Sequence, residues 1–136
     1  MINLFVQEND EIKIKFAVAV SKDSGSLYVD ISRSDLETMV KDFECEIEDH
    51  FVIFKKPSFK DMVEMSKGFS SDGVEVKIDV MKGKMQRLLT LLKSWSVRDA
   101  QGNIIIPSEG IIEKLHPIVA EFLVDQLDLE LGPIVG

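Results

Sequence analysis

The sequence predicts an α+β protein built as a single domain over residues 1–136. A small, mostly antiparallel N-terminal sheet with one helix (1–56) is followed by a C-terminal bundle of about four helices (57–136). Three observations predict this. Residues 11–16 and 27–31 alternate apolar and polar, the period of a strand with one wet face. From residue 57 onward apolar residues recur at three- and four-residue steps, the period of a helix. The 136 residues, 45% of them apolar, suffice for one ordinary core.

Taken in order, Glu11-Ile12-Lys13-Ile14-Lys15-Phe16 alternates and then turns small and apolar through Ala17-Val18-Ala19-Val20, as a strand entering a core does. The cluster Ser21–Ser26 is a turn, and Leu27–Ile31 returns as the second arm of a hairpin. Ser34-Asp35-Leu36-Glu37 has the form of a capping box. It predicts a short helix over about 35–42, with Leu36, Met39, Val40 and Phe43 on one face. Phe43–Asp49 is strongly acidic and expected in solvent. Phe51–Phe54 is a short buried strand stopped by Lys55-Lys56-Pro57.

Ser58 caps a helix through Phe59, Met62, Val63 and Ser66, ended by Gly68. Ser70–Gly73 is a loop. The most periodic stretch, 76–95, carries Ile78, Met81, Met85, Leu88, Leu89, Leu92 and Trp95 on one face, with Lys77, Lys82, Lys84, Arg87 and Lys93 taking most other positions. Gly83 within it costs about 1 kcal/mol against alanine, suggesting a close contact or a bend. Asp99–Asn103 is a turn and Ile104–Ile106 an extended segment ended by Pro107. Ser108 caps a short helix over Ile111, Ile112 and Leu115, and Pro117 opens the last helix, with an apolar face of Ile118, Val119, Phe122, Leu123 and Leu127 extending toward Leu129, and an acidic outer face. Leu131-Gly132-Pro133 ends that helix, leaving Ile134–Gly136 as a loose tail.

Charge narrows the partners. The net charge is −8 and uneven: −7 over residues 1–50, +4 over 51–100 and −5 over 101–136. An acidic chain repels nucleic acid and anionic membranes, so neither is expected as a partner. The asymmetry would let copies stack with acidic ends against a basic middle. Its plain alternative is a surface charged for solubility. No apolar run approaches the roughly 20 residues needed to cross a bilayer. The first ten residues have no signal-peptide pattern, and the single Cys45 cannot form an internal disulfide, so a reducing cytosolic setting is expected.

The residue inventory favours binding over catalysis. The two histidines are His50 and His116. A Cys45–His50 nucleophile pair has no supporting signature, and a buried thiol with an exposed imidazole is the default. Glu44, Cys45, Glu46, Glu48 and His50 match no familiar zinc spacing. Asp99–Asn103 lacks the later oxygen ligands of a calcium loop, since Ile104 and Ile106 occupy those places. No glycine-rich phosphate loop follows a strand. Catalytic, cofactor-binding and metal-binding residues are therefore all expected to be none.

One longer pattern remains. Leu88–Asn103 ends a helix in the lone Trp95 and continues into Trp-x-x-x-Asp-x-x-Gly (Trp95, Asp99, Gly102). Pro107-Ser108 and the short Ile111–Pro117 stretch follow, and Lys55-Lys56-Pro57 leads into the first C-terminal helix. Over residues 54–125 this resembles the tail assembly chaperones and related small tail proteins of tailed bacteriophages. The resemblance implies a non-enzymatic protein, with no cofactor, made during virion assembly. It would act in the host cytoplasm, bind the tape measure or another tail, tube or baseplate component, and be able to self-associate. Trp95, Asp99, Gly102 and Pro107 would be framework, and Phe122, Leu123 and Leu127 the partner-contact candidates. The strand-rich N-terminal part departs from the chaperone pattern and favours the alternative, a structural tail or baseplate subunit kept in the virion. That alternative expects strand 11–20 or 50–55 at a sheet edge, ready to pair with a neighbour. A small hydrolase is the third reading and needs a deep pocket of converging ionisable groups.

Overall fold

In a computed structural model of the protein, described over residues 2–66 and 76–132 and by backbone alone over 76–79, four strands and five helices form an α+β fold. The elements are β1 (Glu11–Ser21), β2 (Leu27–Asp30), α1 (Arg33–Met39), β3 (Cys45–Lys55), α2 (Phe59–Ser66), α3 (Val76–Leu91), β4 (Leu92–Trp95), α4 (Glu109–Glu113) and α5 (Pro117–Leu131). The strands make one antiparallel sheet in the order β2-β1-β3-β4. The expected helix stop at Gly68, the loop Ser70–Gly73, the side chains of Lys77 and Ile78 and the tail from Pro133 lie outside the described residues.

The sheet is buried on both faces, but at different ends. Ile12, Ile14 and Phe16 of β1, with Val52 and Phe54 of β3, face Leu88 and Leu91 of α3 and Leu123, Val124 and Leu127 of α5. Farther along, Ala17 and Ala19 turn the opposite face to Leu36 and Val40 under α1. That change of covered face explains why β1 stops alternating at Phe16: from there the buried side passes to Ala17 and Ala19, small residues that fit beneath α1, while Val18 and Val20 on the first face become progressively exposed. The helices of the second half gather around α3, which touches α2, α4 and α5.

Four expectations need correction. The helix expected through Trp95 ends at Leu91, and Leu92–Trp95 is an edge strand on β3. The register passes from Ile53↔Ser94 to Phe54↔Leu92, leaving Lys93 as an extra residue. This bulge puts Leu92 and Trp95, three residues apart, on the same face of the sheet. Their spacing therefore imitated a helix. The helix expected over 35–42 instead runs Arg33–Met39 and is capped by Ser32, whose Oγ accepts from the Asp35 N–H at 3.2 Å. Asp30 receives the Ser32 N–H at 2.9 Å, so the chain leaves β2 directly into the cap, and Glu37 pairs with Arg33 rather than reaching back.

The acidic run Glu44–Asp49 is not a loop. Most of it is the first half of β3, eleven residues long, with its glutamates on solvent and Cys45 and Ile47 half-buried against the α1 cluster. Lastly, in strand order neither 11–20 nor 50–55 is an edge strand, since β1 and β3 lie between β2 and β4, although β2 pairs only with Ala17–Val20 and leaves the start of β1 uncovered. The hairpin, the stop at Lys55, the caps at Ser58 and Ser108, and Pro117 at the first turn of α5 stand where the sequence predicts them.

Candidate protein-binding surface

Trp95 anchors the corner that carries the family-like pattern. Its ring is buried to 3% exposure, and its Nε1–H donates to the Ile105 carbonyl at 2.5 Å. That bond holds the following hairpin, in which Ile105 N–H reaches Val97 O at 2.9 Å and Arg98 pairs with Ile104. Asp99 shapes the tip: its Oδ1 accepts the N–H groups of Gln101 and Asn103, both at 2.9 Å. Gly102 sits at φ 84°, a left-handed conformation that favours glycine. Pro107 is half-buried and ends the return strand before the Ser108 cap. Trp95, Asp99 and Gly102 thus shape one hairpin, with Pro107 at its exit, and Asp99 Oδ1 is taken up by backbone N–H groups.

The partner-contact candidates fare differently. Leu123 and Leu127 are at 1% and 0% exposure inside the main core, so as placed they cannot meet another protein. Phe122 is half-buried, its ring 5.9 Å from that of Phe16. The width of the apolar face of α5 reflects burial against the sheet on one side and α3 on the other.

A candidate surface lies beside those residues. A groove of about 480 Å³ opens between α3, α4 and α5. Leu88, Ile112 and Val124 form its buried floor, and Met81, Met85, Leu115, Pro117 and Ala120 its walls. Lys82 and Lys84 on α3 face Glu113 and Glu121 on the other side of the lining, with Lys84 and Glu121 3.7 Å apart. Methionine walls adapt to irregular shapes, and an apolar floor with a charged rim of both signs suits an amphipathic helix. Sequence reasoning placed Met81, Met85 and Leu115 on the apolar faces of expected helices. Their periodicity is real, but α4 is too short to cover α3, and a length of five residues could not be read from Ser108 alone.

A second cluster of polar groups joins β3 to β4. His50 is largely buried, at 16% side-chain exposure, and stacks on Phe16 with ring centroids 5.8 Å apart, correcting the expected exposed imidazole. Its Nδ1 lies 2.9 Å from Ser96 Oγ and its Nε2 3.0 Å from Glu48 Oε2. The serine–histidine–glutamate order resembles a hydrolase chain. However, Ser96 Oγ also takes the Phe51 N–H at 2.9 Å, continuing the β3–β4 ladder. The hydroxyl is thereby tied into the sheet as well as to the imidazole. Cys45 lies five residues from His50 on β3, hence on the opposite face, so the two cannot act together.

Among the described residues, no group of three or more metal-ligating side chains converges, and no helix is long and apolar enough to cross a membrane. Two carboxylates are shifted. Burial pushes Asp61 up, but the Ser58 N–H and hydroxyl and the Lys55 ammonium, 2.9 Å away, outweigh it and hold the carboxyl below the usual range. Asp128, by contrast, is raised, chiefly by burial, although Arg87 lies 3.3 Å away. Compared with family models, curated proteins and solved structures, the chain matches none.

Proposed function

We propose that the protein is a non-enzymatic tail assembly factor of a tailed bacteriophage, holding the tape measure or another tail component through the groove between α3, α4 and α5. The observation that carries this reading is the groove itself: an apolar floor, adaptable methionine walls and a rim with lysines on one side and glutamates on the other. An elongated helical partner with an apolar stripe and mixed flanking charges is the chemistry it fits. The framework around Trp95 supports the reading by resemblance, and it supplies rigidity at the end of α3 rather than contact.

The experiment is co-expression with the tape-measure protein of the same phage, with molar mass read by light scattering. A complex of fixed stoichiometry that keeps the tape measure soluble is the expected result. A tape measure that precipitates equally with and without this chain would overturn the reading. The alternative, a structural subunit kept in the tail or baseplate, is favoured by one separate observation, the open half-edge of β1 described next.

A further inference from the structure

The register of β1 leaves part of it without a partner. Lys56 N–H bonds Asp10 O, and Lys22 N–H bonds Glu44 O. These two bonds bracket an unbroken register from Glu11↔Lys55 to Ser21↔Cys45, so even-numbered residues of β1 aim their backbone groups at β3. Odd-numbered residues aim the other way. There, β2 pairs only with Ala17–Val20, and Ser21 N–H reaches Ser26 O. Glu11, Lys13 and Lys15 therefore present three N–H and three C=O groups along an open edge, with no backbone partner among the described residues.

Immediately before β1 the chain carries the opposite problem. Ile2, Leu4 and Phe5 are 83%, 86% and 79% exposed, and residues 2–6 belong to no helix or strand. So much apolar surface on five consecutive residues is unusual unless something covers it. The arm cannot zip regularly onto its own β1. The turn that joins them places Gln7 opposite Asp10, with Asp10 N–H on Gln7 O at 3.1 Å. Continuing that hairpin would pair the arm with Ile12 and Ile14, whose backbone groups are already spent on β3. It is out of phase by one residue.

We propose that the open edge of β1 is filled by the N-terminal arm of a second copy of this chain, in a reciprocal exchange of residues 2–6 onto residues 11–15. The lengths match, five residues to five. The arm residues 2–6 are uncharged and so meet no like charge at Lys13 and Lys15, and among the described residues no carboxylate pairs with either lysine. Added as a strand, the arm would place alternate side chains beside Ile12 and Ile14 at the rim of the main core. This inference is independent of the tail-assembly reading, since it needs only the chain itself.

The test reads mass and amide exchange on the full-length chain. Light scattering over a rising concentration series should show a monomer passing to a dimer. Hydrogen exchange at the amides of Glu11, Lys13 and Lys15 should slow in step. Two variants should each hold the protein monomeric: Leu4→Asp with Phe5→Ser, which spoils the arm, and Lys13→Pro, which removes the central edge donor without touching a bond to β3. Mixed together, they should recover a heterodimer, because one sound arm then meets one sound edge. A monomer at every concentration would overturn the proposal. So would a dimer that both variants leave intact, or exchange at the three amides that ignores concentration, a readout that needs no variant to fold.

Discussion

Replacing Trp95 with phenylalanine should be among the most costly single changes in the C-terminal half. The substitution keeps an aromatic ring at a position of 3% exposure but removes the indole N–H that donates to Ile105 O at 2.5 Å. Losing that bond and leaving a half-buried carbonyl unpaired costs about 1–2 kcal/mol. The smaller ring leaves a void between β4 and the return strand, worth about 1–2 kcal/mol more. The sum is about 2–4 kcal/mol, or about 6–15 °C in Tm for a domain of this size. Urea unfolding followed by far-UV circular dichroism is the appropriate assay, because Trp95 is the single tryptophan and the variant has no tryptophan fluorescence. A loss under about 0.5 kcal/mol would show that Trp95 does not hold the 97–105 hairpin to the sheet.

Other outcomes follow from burial and charge. Leu88→Ala, on the buried floor of the groove, should cost about 2–5 kcal/mol in the same assay, and a melt unchanged within about 0.5 kcal/mol would contradict its burial. Leu129→Ser should change stability by less than about 0.5 kcal/mol, because this leucine is 74% exposed despite its place in an apolar helix. Asp61→Asn tests the cap of α2. The Asp61 carboxyl is held below its unfolded value, so its contribution is complete above about pH 4 and is lost as pH falls through the folded value. The stability gap between wild type and variant should therefore be flat from about pH 7 to pH 5 and close on further acidification. A gap that instead widened below pH 4 would refute the assignment.

How far the fold could be read depended on whether one pattern had one meaning. The β1–β2 hairpin and the caps at Ser58 and Ser108 were legible because local chemistry alone fixes them. In β1 even the loss of alternation after Phe16 was visible, though its cause, α1 covering the opposite face, was not. β4 was illegible because the bulge at Lys93 gives Leu92 and Trp95 a helical spacing. The first half of β3 was hidden by its charge: Glu46, Glu48 and Asp49 look like a loop until β1 supplies the pairing partner. At the candidate site, the framework around Trp95 was readable as a turn and a stop. The groove was not, since Met81, Met85 and Leu115 carry the same periodicity as the buried Leu88. Only the short α4 decides which of them stay uncovered.

The central claim is that the groove between α3, α4 and α5 holds a helix of another protein. The most direct measurement is a fluorescence anisotropy titration of a labelled helical segment from the tape-measure protein of the same phage. It compares wild type with Leu115→Glu in the groove wall and with Leu129→Ser as a surface control. The account predicts saturable binding that weakens at least about tenfold, or about 1.4 kcal/mol, in Leu115→Glu and is unchanged in Leu129→Ser. Equal affinity in all three proteins, or no binding by the wild type, would contradict it.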